Sequence, residues 1–134
     1  MERTYVMLKP DALKRKLMGK IITRIEEKGY IITEAKTMHL DEAILKEHYA
    51  HLANKPFFHS IVDYMISGPV LAMVVEGENA VAGIRKIMGA TQFEDTLAGT
   101  IRGDFAFNTQ ENLIHGSDSV ENAEIEIKRF FQDK

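Results

Sequence analysis

Strand-like and helix-like segments alternate along the chain, an order that by itself predicts an α/β fold with a doubly wound parallel sheet. Three observations underlie that prediction. Val70-Leu71-Ala72-Met73-Val74-Val75 is an unbroken apolar run, the pattern of a central strand covered on both faces. Apolar residues recur at helical spacing at Leu17, Ile21, Ile22 and Ile25, and again at Val81, Ile84 and Met88. The 134 residues, 45% hydrophobic and 28% charged, suit a single globular domain, residues 1–134, with a substantial core.

In chain order, Tyr5-Val6-Met7-Leu8 reads as a short buried strand that Pro10 stops, because proline cannot donate to a sheet ladder. Lys9 therefore stands at a strand end. The helix from Leu17 closes at Gly29, a C-cap residue. Tyr30 to Leu40, rich in β-branched residues, reads as a longer strand. Asp41 is placed to cap a helix carrying Ile44, Leu45, His48 and Leu52, which Lys55-Pro56 breaks. Phe58, Ile61, Val62 and Met65 make a second helix, ended by Gly68-Pro69, so that a helical hairpin separates two strands.

After the Val70 strand, Glu78-Asn79 opens a helix that brings Arg85 beside its apolar stripe near the end. Gly89 to Asn112 has weak periodicity and several glycines, and a long irregular stretch in a compact domain is often functional. Leu113-Ile114 reads as a buried strand, and Ser119 caps a last helix with Val120, Ala123, Ile127, Phe130 and Phe131 on one face.

Composition narrows the function. A net charge of -3 gives no general drive toward nucleic acid, so any anion site must be local. With no cysteine there is neither a disulfide framework nor a thiolate metal site. No run approaches the ~20 apolar residues of a membrane helix, and the first residues lack a signal-peptide pattern, so the expected compartment is the cytoplasm.

The stretch richest in chemistry is Asn112-Leu113-Ile114-His115-Gly116-Ser117-Asp118. A short apolar strand delivers an imidazole, Gly116 permits close approach or an unusual backbone angle behind it, and Ser117 and Asp118 add oxygens within reach. Taken alone, such a histidine is more often a strand end before a turn. Lys9, Arg85, Thr91 and Arg102 are cations and a hydroxyl at positions where distant segments could bring them together on phosphate oxygens. Singly, each reads as a solvated surface group.

Together these residues resemble the nucleoside diphosphate kinase family from end to end. The likeness runs through Tyr5-Val6-Met7-Leu8-Lys9-Pro10-Asp11, His48-Tyr49, Lys55-Pro56-Phe57-Phe58, Ser67-Gly68-Pro69, Gly99-Thr100-Ile101-Arg102-Gly103-Asp104, and Asn112 to Ser119. The resemblance replaces the parallel sheet with an α+β fold. It implies a ferredoxin-like βαββαβ sandwich with a four-stranded antiparallel sheet, a helical hairpin joining the two central strands, and a long active-site loop.

It also implies a reaction. The γ-phosphoryl group of a nucleoside triphosphate, typically ATP, passes to His115 and then to a nucleoside diphosphate, in two ping-pong half-reactions. An ordinary imidazole, with a pKa of ~6.5, is mostly neutral near pH 7 and needs no base to attack. By resemblance Nδ1 attacks while Glu126 fixes the ring. Ser117, Lys9 and Tyr49 join the catalytic set; Lys9, Tyr49, Arg85, Thr91, Arg102 and Asn112 contact the phosphates and ribose; and Phe57 stacks on the base. Every base has a π-face, so an aromatic platform implies broad base tolerance. Of the adjacent phenylalanines, Phe58 is expected inward and Phe57 at the site. Mg2+ would ride on the β- and γ-phosphates, with Asp118 reaching it through water. The family resemblance implies a homo-oligomer, tetramer or hexamer.

A phosphocarrier domain also presents a phosphorylatable histidine, but has no use for Phe57, Arg85 and Arg102 as a nucleotide site. A nucleic-acid-binding ferredoxin-like module would need a basic surface. The chain departs from the family in its long loop: Gln92-Phe93 follows Thr91 where Asn-Pro is usual, and Ala98-Gly99 replaces Pro-Gly. Losing a loop proline typically costs about 0.4–1 kcal/mol, so a less rigid loop and weaker subunit contacts are expected. Glu111 occupies a position where a basic residue is common.

Overall fold

The first strand, β1, runs from Glu2 to Leu8 and begins three residues earlier than its apolar run alone indicates. In the computed structural model, which describes residues 1–131, it is the axis of a four-stranded sheet. Pro10 ends β1 by opening a short helix, α1 (Pro10–Lys14), that the sequence reading missed. Its ring occupies the first helical position, where the missing N–H costs nothing. Helix α2 (Met18–Glu27) and strand β2 (Ile31–Met38) follow as expected.

Helix α3 (Glu42–His48) is capped by Asp41, whose carboxylate accepts from the Ile44 N–H at 2.9 Å. It stops sooner than expected. Tyr49 leaves the helical region (φ -109°, ψ 39°), and Leu52 lies in a 3-10 turn before α4 (Phe58–Met65). This exit matters because it turns Tyr49 toward the site. Strand β3 (Val70–Gly77) and helix α5 (Ala80–Met88) come next. Asn79 makes no side-chain cap on α5; Glu2, paired with Gly77 at the end of β3, accepts from the Val81 N–H at 2.8 Å instead.

The stretch expected to lack regular structure contains a 3-10 turn at Phe93–Asp95 and a helix, α6 (Ile101–Phe105). Thr100 caps α6 by accepting from the Gly103 N–H at 2.9 Å. Strand β4 (Ile114–Gly116) leads to Ser119, which caps α7 (Val120–Phe130) through the Asn122 N–H. Ala123, Ile127 and Phe130 on α7 are buried, as is Phe131 just beyond it, whereas Val120 is exposed.

The sheet order is β2-β3-β1-β4, with every neighbouring pair antiparallel. This overturns the parallel sheet that alternation suggests and agrees with the α+β fold that the resemblance implies. Strands β1 and β2 do run parallel to each other, but β3 lies between them. The hairpin of α3 and α4 therefore joins the edge strand β2 to the inner strand β3, and not the two central strands, which are β1 and β3.

Side chains of β1 and β3 alternate between two cores. Val6, Leu8, Met73 and Val75 pack with Ile21 and Ile25 of α2 and with Ile84 and Met88 of α5. Tyr5, Met7, Ala72 and Val74 pack with Leu45, Phe58, Val62, Ile127 and Phe130. Burial on both faces explains the continuous apolar runs of the inner strands. The same two-residue period fixes β4: His115 pairs with Met7 and shares its face, while Gly116 faces α5.

A Cβ at Gly116 would lie 2.6 Å from Met88 Sδ and 3.2 Å from Ile84 Cγ2. We expect Gly116→Ala to destabilise the fold by about 1–3 kcal/mol through overpacking. An unchanged urea midpoint would show that α5 yields freely and that glycine is not required there.

Candidate active site

His115 is brought to the end of the sheet by the shortest strand, and β1 delivers Lys9 beside it. The Lys9 N–H donates to the carbonyl of Leu113 at 2.8 Å, which holds the strand ends together. Between them Leu113 adopts φ +75°, a region that costs a leucine of order 1–3 kcal/mol. Such strain persists only where its surroundings over-determine it. Here the Leu113 carbonyl is taken by Lys9, and the flanking carbonyls of Asn112 and Ile114 are taken by Arg102.

The imidazole has a fixed orientation. Its Nε2 lies 2.9 Å from Glu126 Oε1, and the Ser117 hydroxyl donates to the same oxygen at 2.6 Å. Burial alone would raise the Glu126 pKa, but hydrogen bonds from His115 and Ser117, with the nearby imidazoles, hold it below its ordinary value. Glu126 is therefore a carboxylate that can only accept, so the His115 proton sits on Nε2 and the lone pair on Nδ1. Glu126 reaches this position because it flanks the buried Ala123–Ile127–Phe130 stripe of α7.

A cleft of about 500 Å3 opens in front of His115. Lys9, Tyr49, Arg85, Thr91, Arg102, Asn112, Asp118 and Glu126 all line it. Its cations are tuned differently. Burial first, and then the Arg102 charge, lower the Lys9 ammonium from its ordinary value to about 7, and it donates to Asn112 Oδ1 at 2.8 Å. Burial and then Arg85 lower Arg102 to about 10, so its charge persists at neutral pH. Burial and then Glu126 raise the Tyr49 hydroxyl to about 12, which keeps it a donor.

Arg102 is more than a surface cation in a loop. It is buried on α6 and donates to the carbonyls of Ile114 (2.6 Å), Gly89 (3.1 Å) and Asn112 (3.3 Å). Three of its five N–H groups are used, and two are left for an anion. Arg85 donates to the Gly116 carbonyl at 3.1 Å.

The cleft continues into a second, more apolar cavity of about 440 Å3, shared through Lys9, Tyr49, Thr91 and Asn112 and walled by Phe57, Leu52, Ile61 and Tyr64. Phe57 is 51% exposed and Phe58 is buried, the division expected from the sequence. Cations thus line one end and an aromatic platform the other. Asp118 stands at the cation end, its Oδ1 held by the Asn122 side chain at 2.6 Å. It fits the part of an outer partner of a phosphate-borne ion: one exposed carboxylate, with the ring nitrogen and Glu126 engaged elsewhere.

Among the residues lining the cleft to which the sequence assigns no role in it are His48 and Arg129. His48 was read as part of a helical stripe, and Arg129 carried no signal, because their contact spans 81 residues. Sequence reasoning also missed that Asp11 bonds the Tyr64 hydroxyl. Glu111 lines a separate cavity with these two, and nothing in the structure explains an acid there.

The family model for nucleoside diphosphate kinase matches residues 2–134. The chain is 51% identical over 133 residues to a nucleoside diphosphate kinase of Acetivibrio thermocellus, covering 99% of this chain and 98% of that protein. It is 52% identical over 132 residues to that of Exiguobacterium sibiricum, covering 98% and 96%. Two solved structures superpose with a TM-score of 0.94. One is the apo nucleoside diphosphate kinase of Encephalitozoon cuniculi, 50% identical, covering 98% of this chain and 89% of the other. The second is a halophilic nucleoside diphosphate kinase of Halobacterium salinarum in complex with CDP, 48% identical, covering 98% and 88%. With a matching model across the chain and relatives at half identity along nearly their whole length, this chain belongs to the nucleoside diphosphate kinase family.

Proposed function

We propose that the nucleoside diphosphate kinase activity of this chain is carried by His115, which takes the γ-phosphoryl group of a nucleoside triphosphate and returns it to a nucleoside diphosphate. The observation that carries this reading is the Glu126 hydrogen bond to Nε2, which leaves the Nδ1 lone pair for a phosphorus atom in a cation-lined cleft. In the first half-reaction the N–P bond forms as the bond to the β–γ bridging oxygen breaks, and the diphosphate leaves with that electron pair. The second half-reaction reverses this with another diphosphate, so triphosphate pools equilibrate.

Lys9, Tyr49, Arg85 and Arg102 stabilise the charge on the transferred group and its neighbours, the main source of catalysis in phosphoryl transfer. Thr91 and Asn112 hold phosphate and ribose oxygens, Ser117 and Glu126 orient the ring, and Phe57 stacks on the base. Mg2+ carried by the nucleotide would be held on the protein side by Asp118 through water, and it would supply neutralisation of phosphate charge. The CDP of the Halobacterium salinarum complex supports acceptance of pyrimidine diphosphates.

The whole chain, 1–134, acts as one such domain in the cytoplasm; no helix among the described residues is long and apolar enough to cross a membrane. It assembles as a tetramer or hexamer, a reading supported by Leu97 (73% exposed) and Phe107 (74%) in the long loop.

Protein mixed with γ-labelled ATP and Mg2+ should acquire acid-labile, alkali-stable label on His115 that passes to added GDP. His115→Ala should bind nucleotide and acquire none; a His115→Ala variant with normal exchange activity would remove this mechanism. Label that forms on wild-type protein but transfers to no diphosphate would instead mark a phosphocarrier.

Lys9 generates a second expectation. Its ammonium titrates near pH 7 in the free protein, and triphosphate oxygens favour its charged form, so binding between about pH 7 and 10 should take up protons. Affinity should fall as pH rises through that range. Calorimetry in buffers of different ionisation enthalpy measures the uptake, and Lys9→Met should abolish it; equal uptake in Lys9→Met would assign the proton elsewhere.

A further inference from the structure

His48, the last residue of α3, is 8% exposed and lines the same cleft as His115. Its Nδ1 lies 2.9 Å from Nη1 of Arg129, whose Nε donates to Glu47 Oε2 at 2.9 Å. A guanidinium has no acceptor, so Nδ1 must accept and, in the neutral ring, the proton must reside on Nε2. The ring is neutral: burial, and then the neighbouring His115, push its pKa down to about 3.

That leaves a buried N–H with no hydrogen-bond partner among the described residues. Such a group costs about 1–3 kcal/mol, and native proteins leave few of them. Its surroundings say what it waits for. The His48 and His115 rings meet edge to face at 4.7 Å, and a ring nitrogen of each lies within 4.8 Å of the other and of a Glu126 oxygen. No hydrogen bond joins the two rings among the described residues, and their proximity places a group carried on His115 beside the His48 ring. A metal ion could use the same three groups, but the proton on Nε2 and the Arg129 cation at Nδ1 leave His48 no lone pair to give.

We propose that His48, fixed as its Nε2–H tautomer by Arg129, is a hydrogen-bond donor to the phosphoryl group while that group is bonded to His115. The inference rests on the phosphohistidine reading given above. His48 keeps its proton throughout; it offers a dipole where negative oxygens gather. Arg129 is a positioning residue: it touches no substrate and acts by choosing the tautomer.

The tautomer is testable in the free protein by long-range proton–nitrogen NMR of 15N-histidine-labelled samples. His48 should show a protonated Nε2 and bare Nδ1 at neutral pH, unchanged in Arg129→Lys and mixed in Arg129→Leu. A protonated Nδ1 in the wild type would overturn the proposal, as would tight Zn2+ binding that His48→Leu abolishes. In rapid-quench labelling with γ-labelled ATP, His48→Leu should form phosphoenzyme roughly ten- to a hundredfold more slowly, the loss expected for a hydrogen bond to a charged group. Its nucleotide affinity should change little. His48→Gln, whose amide nitrogen falls where Nε2 lies, should recover most of the rate. A His48→Leu variant as fast as wild type, or a His48→Gln variant no faster than His48→Leu, would sink the donor role. Wild-type protein that takes no label would sink the phosphohistidine reading itself, an outcome the NMR result does not depend on.

Discussion

The buried guanidinium of Arg102 is the constraint on which the site is built. It joins the carbonyl of Gly89, just after α5, to those of Asn112 and Ile114, which bracket the strained Leu113. Without that strap the positive φ at Leu113 would relax, and the register of β4 against β1, hence the place of His115 opposite Met7, would lose its anchor. A desolvated cation is costly unless its hydrogen bonds are made. Three carbonyls supply that compensation, and two further N–H groups remain for the phosphate contact proposed above.

The same economy governs the other ionisable groups. In a protein of net charge -3, attraction for a polyanion has to come from a few buried cations. Burial presses Lys9 toward neutrality in the free protein, while Glu126 stays ionised because His115 and Ser117 donate to it. Glu126 thus holds a fixed negative charge on the Nε2 side of His115, and Lys9, Arg85 and Arg102 line the cleft in front of the ring. In the proposed reaction Tyr49 and His48 would add neutral donors, which stabilise developing charge without the self-repulsion that further cations would bring.

How far the sequence could be read depended on the range of the interaction. Local signals were legible: Asp41 and Ser119 cap as side chains of that kind do, and the runs at Val70 and Tyr5 are the two inner strands. Strand order was not, because alternation of strands and helices is the same for a parallel sheet and for β2-β3-β1-β4. Only the resemblance separated them. Helices α1 and α6, five residues each, are too short to show a period. In the site, His115, Lys9 and Arg102 stand out as candidates from their residue types and positions, and the resemblance supplies their roles and that of Glu126, but no spacing reveals that Arg102 is spent on carbonyls or that Arg129 meets His48. Those facts belong to contacts made only after the chain has folded.

The loop departures show how such contacts alter what a local rule implies. Phe93 stands where the family usually has proline, and a proline there would pre-set the backbone for a gain of about 0.4–1 kcal/mol. Phe93, however, has an N–H, and it donates to the Thr109 hydroxyl at 3.0 Å, tying the start of the loop to its end. A typical net hydrogen bond contributes about 0.5–1.5 kcal/mol, an amount that matches what was given up. Beside Ala98, the Gly99 N–H donates to Asp104, which is itself paired with Arg24 at 2.7 Å. The loop is therefore held by cross-links between its own segments and to α2, where its relatives stiffen the chain locally. A proline restricts its own segment in the unfolded chain as well as the folded one, but these bonds exist only in the folded loop. The order of this loop is consequently coupled to the packing of α6 and, through Arg102, to the geometry at His115.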